Sequence, residues 1–197
     1  MAAKVIKRKG YGQVEPNHLS GIVTGQIYAQ LPAATTKTVT NGETTYGGIV
    51  QLEQGQFAKY DYAAGKVNFT GDGEFMLVYN EEKLYDERKQ SHKDFVYKVE
   101  DFTDEQMYPR LIKTNIGDIF TTNTIAVANT SDTAPVGTVS LAEGNYLQVG
   151  TNGFLSLVTG TGDAAATTMP TTGMVWKVVK ETTMPDGQPG VKIQRVQ

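Results

Sequence analysis

The amino-acid sequence predicts an all-β protein: antiparallel β-barrel or sandwich units with an extended N-terminal arm and little helix. Three observations carry that expectation. Short runs alternate apolar and polar residues with a period of two, as in Trp176-Lys177-Val178 and Val191-Lys192-Ile193. Asn-Gly and Asp-Gly dipeptides, which accept the positive φ of a tight hairpin, fall between such runs. Glycine and threonine are abundant while the apolar fraction is 39%, which suits many turns and short strands.

Residues 1–32 read as the arm. Lys4-Val5-Ile6-Lys7-Arg8-Lys9 is followed by Gly10-Tyr11-Gly12 and Glu15-Pro16-Asn17-His18. With that much Gly and Pro and few large apolar residues, local burial does not offset the cost of ordering. Such a segment is either a frayed terminus or one that orders on a partner. Residues 22–30 are the first that could pair as a strand. Residues 33–46 are rich in threonine around Asn41-Gly42 and read as an exposed loop or hairpin tip. Four strands are expected next, at 48–52, 56–62, 66–69 and 74–79, with glycine-containing turns between them. In the second of these, Phe57, Lys59 and Asp61 alternate with Ala58, Tyr60 and Tyr62, which predicts one aromatic face.

Residues 80–104 form a densely charged excursion whose apolar stripe is too thin for a helix; Phe95, Tyr97 and Val99 return it to the sheet. Thr103-Asp104-Glu105-Gln106 has the form of a capping box, stopped after about one turn by Pro109. Two further strands are expected within 110–128, around Gly117-Asp118, and a polar turn region at 129–135. The last quarter holds four strands, at 145–149, 153–158, 173–180 and 190–196, and the single tryptophan. The expected organisation is therefore an arm at 1–32, a β-rich domain at 33–128 and a small barrel-like unit at 135–197. The boundary falls near 129–134, and whether the two β units share one core is left open.

Net charge is −3 and there is no cysteine. Neither disulfides nor thiolate metal sites are available, and no global electrostatic case for nucleic acid exists. No run of about 18 apolar residues is present, so no membrane-spanning helix is expected. Gly10 to Ser20 is polar where a signal peptide needs its apolar segment.

No stretch assembles a persuasive chemical site. Gly160-Thr161-Gly162-Asp163-Ala164-Ala165 approaches a dinucleotide fingerprint, but Pro170 and no helical stripe follow it. Ser91-His92-Lys93-Asp94 places hydrolase residue types side by side, whereas triads are assembled from separate elements. His18 is the only other histidine, too little for a two-histidine metal site. Asp72 with Glu74, or Asp61 with Asp118, could in principle serve a glycosidase, although Asp72 between two glycines reads first as a turn. The expectation is no catalysis, no cofactor and no metal. Tyr60, Tyr62, Tyr79, Tyr85, Tyr97 and Tyr108 crowd the middle of the chain. Tyrosine suits half-buried sheet faces and interfaces alike, and an exposed coplanar row would indicate a carbohydrate-binding module.

Several segments carry a resemblance: Gly25-Gln26-Ile27-Tyr28-Ala29-Gln30-Leu31-Pro32, the run from Gly73 to Glu81, the run from Thr114 to Asn123, and Gly173-Met174-Val175-Trp176-Lys177-Val178-Val179-Lys180 with its following Met-Pro-Asp-Gly turn. Scattered over most of the chain, they resemble structural proteins encoded near the capsid genes of tailed bacteriophages, and among those the capsid decoration, or cement, proteins. The resemblance implies a virion component without catalysis, made in the host cytoplasm and partnered by the major capsid protein. Such proteins combine a small β-barrel with a terminal arm that orders on the shell, and they commonly form trimers. Membrane contact is not implied, and nucleic acid is not an expected partner. This chain is longer than the smallest of them and carries the insertion at 80–104. If the arm lies on neighbouring capsid subunits, Lys4, Lys7, Arg8, Lys9, Tyr11, Ile22, Ile27 and Tyr28 are its contact residues. A head–tail junction or tail protein is the neighbouring alternative.

Overall fold

A computed structural model describes residues 4–6, 10–79, 96–102, 106–126, 139–160 and 165–197. The first strands are β1 (Lys4–Ile6) and β2 (Val14–His18), followed by a one-turn helix α1 (Ser20–Val23) and β3 (Ile27–Tyr28). A hairpin, β4 (Thr35–Thr40) and β5 (Glu43–Gly48), leads to β6 (Gln51–Glu53), β7 (Phe57–Asp61), β8 (Lys66–Asn68) and β9 (Phe75–Val78). Then come β10 (Val96–Lys98), β11 (Leu111–Ile112), β12 (Ile119–Thr122) and β13 (Val139–Leu141). The chain ends with β14 (Tyr146–Val149), β15 (Leu155–Leu157), β16 (Val175–Thr183) and β17 (Pro189–Arg195).

All pairings between these strands are antiparallel. One sheet has five strands in the order β3-β11-β9-β7-β8 and another has six in the order β15-β14-β16-β17-β12-β2. The fold is all-β, as the alternation and turn chemistry predict. Among the described residues no pairing closes either sheet into a barrel; the arrangement is one of stacked sheets.

The five-stranded sheet is apolar on both faces, and its register shows why. Across one face run Ile27, Ile112, Leu77 and Phe57, each paired with the next. These residues join a first core with Phe120, Trp176, Val178, Val191 and Ile193 of the six-stranded sheet. The adjacent residues Tyr28, Leu111 and Val78 form the opposite row. With Ala58, Tyr60 and Met76 they face a second core closed by Ile49, Leu52, Val99 and Met107. A strand covered on both sides reads as a continuous apolar run, which is why Phe75 to Tyr79 contains no polar residue. The alternation expected of β7 holds: Phe57 enters the first core and Ala58 and Tyr60 the second, with the Tyr62 ring 5.1 Å from that of Tyr60.

Residues of the two expected β units line the first core together. Phe57 packs on Trp176 at 5.6 Å between ring centroids, and Phe120 meets Trp176 edge-on at 4.9 Å. Within β16, Val178 pairs with Ile193 and Lys180 with Lys192, so Val179 is bulged out of register and exposed. Val175, whose parity matches that of exposed Lys177, is nevertheless buried, because the C-terminal residues fold back to hydrogen-bond its backbone.

Residues 10–32 do not run as an extended arm. β2 is an edge strand of the six-stranded sheet, paired to β12; its exposed Glu15 and Pro16 protect that edge from further pairing. β1 pairs with β13. Ile6, Val14 and Leu19 are buried in the first core, so the few large apolar residues of this stretch are the ones it uses as anchors. The predicted strand at 22–30 is split between α1 and the two-residue β3. The expected capping box begins at Thr103, outside the described residues, as does most of the charged excursion.

Candidate interaction surface

The paired carboxylates have structural duties. Asp61 Oδ1 accepts from the Ala64 N–H at 3.0 Å and Oδ2 from the Asn68 amide at 3.0 Å. The Ala64 and Asn68 donors hold its carboxyl below the usual aspartate range, against the opposing effect of burial. Asp118 takes the backbone N–H of Ser20 on Oδ1 at 3.0 Å and that of Asn115 on Oδ2 at 2.9 Å, fastening α1 to the turn before β12. Glu74 is in an ion-pair chain with Lys113 at 3.1 Å and Arg195 at 3.5 Å. Arg195 also donates to the Thr114 carbonyl and hydroxyl, tying β17 to the segment after β11. Ser91, His92, Lys93 and Asp94, and most of the glycine-rich stretch at 160–165, lie outside the described residues. Among the described residues, no three His, Cys, Asp or Glu side chains group as metal ligands. A surface hollow of about 440 Å³ sits at the bulge in β16, lined by Ala142, Glu143, Gly144, Lys177, Val178, Val179 and Gln194. Glu143, Lys177 and Val179 in its wall are exposed.

The residues expected to meet a capsid are described in part. Lys4 is in β1, opposite Leu141, and Lys7, Arg8 and Lys9 lie outside the described residues. Tyr11 is half-buried, with Lys98 Nζ 5.5 Å from its ring centroid. Ile22 and Ile27 pack against the first core. Tyr28 packs against the second, its ring 5.3 Å from that of Tyr60 and tilted by 54°. Among the described side chains, Tyr11, Ile22, Ile27 and Tyr28 are each partly buried and do not form one exposed patch. Tyr85 lies outside the described residues, and Tyr60 and Tyr62 are not coplanar: Tyr60 is buried, and exposed Tyr62 meets it edge-on at 68°.

What holds the N-terminal stretch in place is a buried polar clamp that apolar counting cannot detect. The Gly12 N–H donates to Glu53 Oε2 at 2.8 Å, and the Gln13 N–H donates to Asn123 Oδ1 at 2.9 Å. Thr122 Oγ1 donates to the Gln13 carbonyl at 2.7 Å, and Thr124 Oγ1 to that of Gln54 at 2.8 Å. Gln13 Nε2 reaches Asp186 Oδ2 at 2.7 Å, so the same residue also grips the turn between β16 and β17. Gln13, Glu53, Gln54, Thr122, Asn123 and Thr124 are all buried. Gln13 Oε1 and Asn123 Nδ2 are buried without a hydrogen-bond partner among the described residues, while the other contacts of this buried network fix how the N-terminal stretch meets the body.

The feature that stands apart from both cores is the β4–β5 hairpin. Six residue pairs join its strands, from Thr35 with Gly48 to Thr40 with Glu43. Asn41 and Gly42 close it with φ of 54° and 83°, the two positive values that a type I′ turn requires. β-branched threonines favour the extended backbone on either side. At the base, the Ile49 N–H donates to the Ala34 carbonyl at 3.0 Å and the Ala34 N–H to that of Val67 at 2.8 Å. Gly48 is required there: its φ is 72°, and a Cβ would collide with the Ala34 carbonyl oxygen. Tyr46 packs against the second core, while residues 36–45 are exposed and Val39 is 59% exposed. Neither β4 nor β5 pairs with another strand among the described residues. Among the described residues the strand ladder of each is therefore the one it forms with the other. This hairpin was legible from the Asn-Gly dipeptide between threonine runs; its isolation from the sheets was not.

The chain matches no family model, no curated protein and no solved structure.

Proposed function

We propose that this chain is a non-enzymatic structural protein of a virion, which binds the capsid shell and stabilises it by surface contact. The observation that carries the reading is the β4–β5 hairpin, anchored at its base and exposed on both faces beyond it. A two-stranded hairpin alone in water is marginal. It gains strength when a further strand or a surface covers it, and a strand added to an open edge recruits main-chain hydrogen bonds whatever the partner's side chains. The body beneath it suits a rigid mount, with two cores sharing one sheet and most elements tied by long-range pairing. The resemblance of four segments to phage decoration proteins supplies the shell as the partner.

Docking here is assigned to the hairpin rather than to residues 10–32, which the protein uses in its own sheets. Such a protein works by area: contacts of roughly 1,600 Å² each, repeated over a shell, raise the cost of separating subunits. The test is a variant in which the exposed residues 38–45 are replaced by a short Gly-containing turn, leaving Tyr46 on the second core. It is expected to unfold at an unchanged denaturant midpoint and to lose co-sedimentation with capsids lacking the native protein. Binding at wild-type level by a folded variant would overturn the hairpin assignment.

A further inference from the structure

The sequence contains two Asn-Gly dipeptides, Asn41-Gly42 and Asn152-Gly153. Chemically they are alike. An unhindered glycine nitrogen follows an asparagine amide, the pair that most readily closes to a cyclic imide. Structurally they are opposites.

Gly153 is buried, and its N–H donates to the Gly150 carbonyl at 3.0 Å. Its own carbonyl accepts from the Phe57 N–H at 2.7 Å. The Asn152 carbonyl takes the Gln56 side-chain amide at 2.9 Å, and Asn152 Oδ1 faces the Phe154 N–H at 3.4 Å. The backbone on both sides of the Asn152–Gly153 peptide is thus held, by Phe57 of the first core and by Gln56, which is itself buried. Asn41 and Gly42, in contrast, form the exposed tip of a hairpin whose strands, among the described residues, pair only with each other. Ring closure needs the Asn41 peptide to leave its left-handed turn conformation. An isolated hairpin end opens locally without disturbing either core.

We infer that Asn41 is a site of spontaneous amide-to-acid conversion and that Asn152 is protected from it by the fold. The Gly42 nitrogen loses its proton and bonds to Asn41 Cγ; the Cγ–NH₂ bond breaks and ammonia leaves with a proton. Water then opens the imide. Cleavage between Cγ and the Gly42 nitrogen leaves aspartate, and cleavage between the α-carbonyl carbon and that nitrogen leaves isoaspartate. No oxidant or reductant takes part. The product places a carboxylate beside Glu43, and the isoaspartate form adds a main-chain atom to the turn that closes the Thr40–Glu43 pair. The tip of the hairpin thus carries its own ageing reaction, whatever the hairpin binds.

The experiment is incubation of the full folded chain at mildly alkaline pH, with peptide mapping by mass spectrometry at intervals. A parallel sample is kept in concentrated denaturant. In the folded protein, conversion at Asn41 is expected to exceed that at Asn152 by about tenfold or more, the ratio set by the difference in local opening. In denaturant the two rates are expected to converge. Equal rates at the two sites in the folded chain would overturn the inference, as would an intact Asn41 in folded protein under conditions where the denatured chain reacts.

Discussion

Replacing Gly12 with alanine adds one methyl group at the point where the N-terminal stretch enters the body. A Cβ at this position would sit 2.9 Å from Thr124 Cγ2, and closer still to the Gln54 carbonyl oxygen and Thr124 Oγ1. One of those neighbours is backbone, and the Thr124 hydroxyl is already committed to that carbonyl, so the clamp cannot simply move aside. Overpacking of this kind costs about 1–3 kcal/mol. Displacing residue 12 also strips the buried Glu53 carboxylate of a 2.8 Å donor, and loss of a hydrogen bond to a buried charged group costs about 1.5–3 kcal/mol. The two effects overlap, and a loss of about 2–5 kcal/mol is expected, enough to consume much of a typical domain's stability. The assay is urea unfolding followed by Trp176 fluorescence, since that residue is the only tryptophan and lies in the first core. Val23→Ala serves as control: Val23 belongs to the same N-terminal stretch but is 82% exposed, so a change within about 0.5 kcal/mol is expected. If Gly12→Ala unfolds like Val23→Ala, the segment is a loose arm and the clamp does not exist in solution.

Phe57→Ala empties the contact between the two sheets and is expected to cost about 3–5 kcal/mol, whereas Val39→Ala on the exposed hairpin should fall within about 0.5 kcal/mol; equilibrium unfolding distinguishes them. Acid sensitivity follows from Asp61 and Asp186. At Asp186 partial burial raises the carboxyl pKa, but donors from Gln13 and Gln188 more than offset it and leave it below the ordinary value. Both groups have folded pKa values below an unfolded value of about 3.9. Their contribution is therefore fully present above that pH and lost as pH falls through the folded values. Stability against pH should show an acid limb below about pH 4 that is shallower in the Asp61→Asn, Asp186→Asn double variant; an unchanged limb would show that these carboxylates are not the linked groups.

Local chemistry was readable in the sequence where one residue type suffices to set the backbone. Asn41-Gly42 announced its turn, and the alternation in β16 and β17 announced buried Trp176, Val178, Val191 and Ile193. Partner choice was not readable, because a period-two pattern fixes which side chains share a face but not what covers that face. Thus β12 sits between β2 and β17, strands from opposite ends of the chain, and nothing local in Ile119 to Thr122 specifies either neighbour. The N-terminal stretch departs from the expected arm for a related reason. Its anchoring relies on Gly12 and Gln13, a glycine chosen for close approach and an amide chosen for reach, and neither adds to an apolar count. The hairpin's sequence was legible as a tip, but its standing as a two-stranded sheet of its own among the described residues emerges only from the pairing of the other strands.

The proposed role is stoichiometric contact with a viral shell. The most direct test is its copy number relative to the major capsid protein in purified particles, by quantitative mass spectrometry. A fixed ratio, equal to the capsid protein or one per few capsid subunits, is the predicted result. Absence from washed particles, or a small fixed number confined to one vertex, would contradict it.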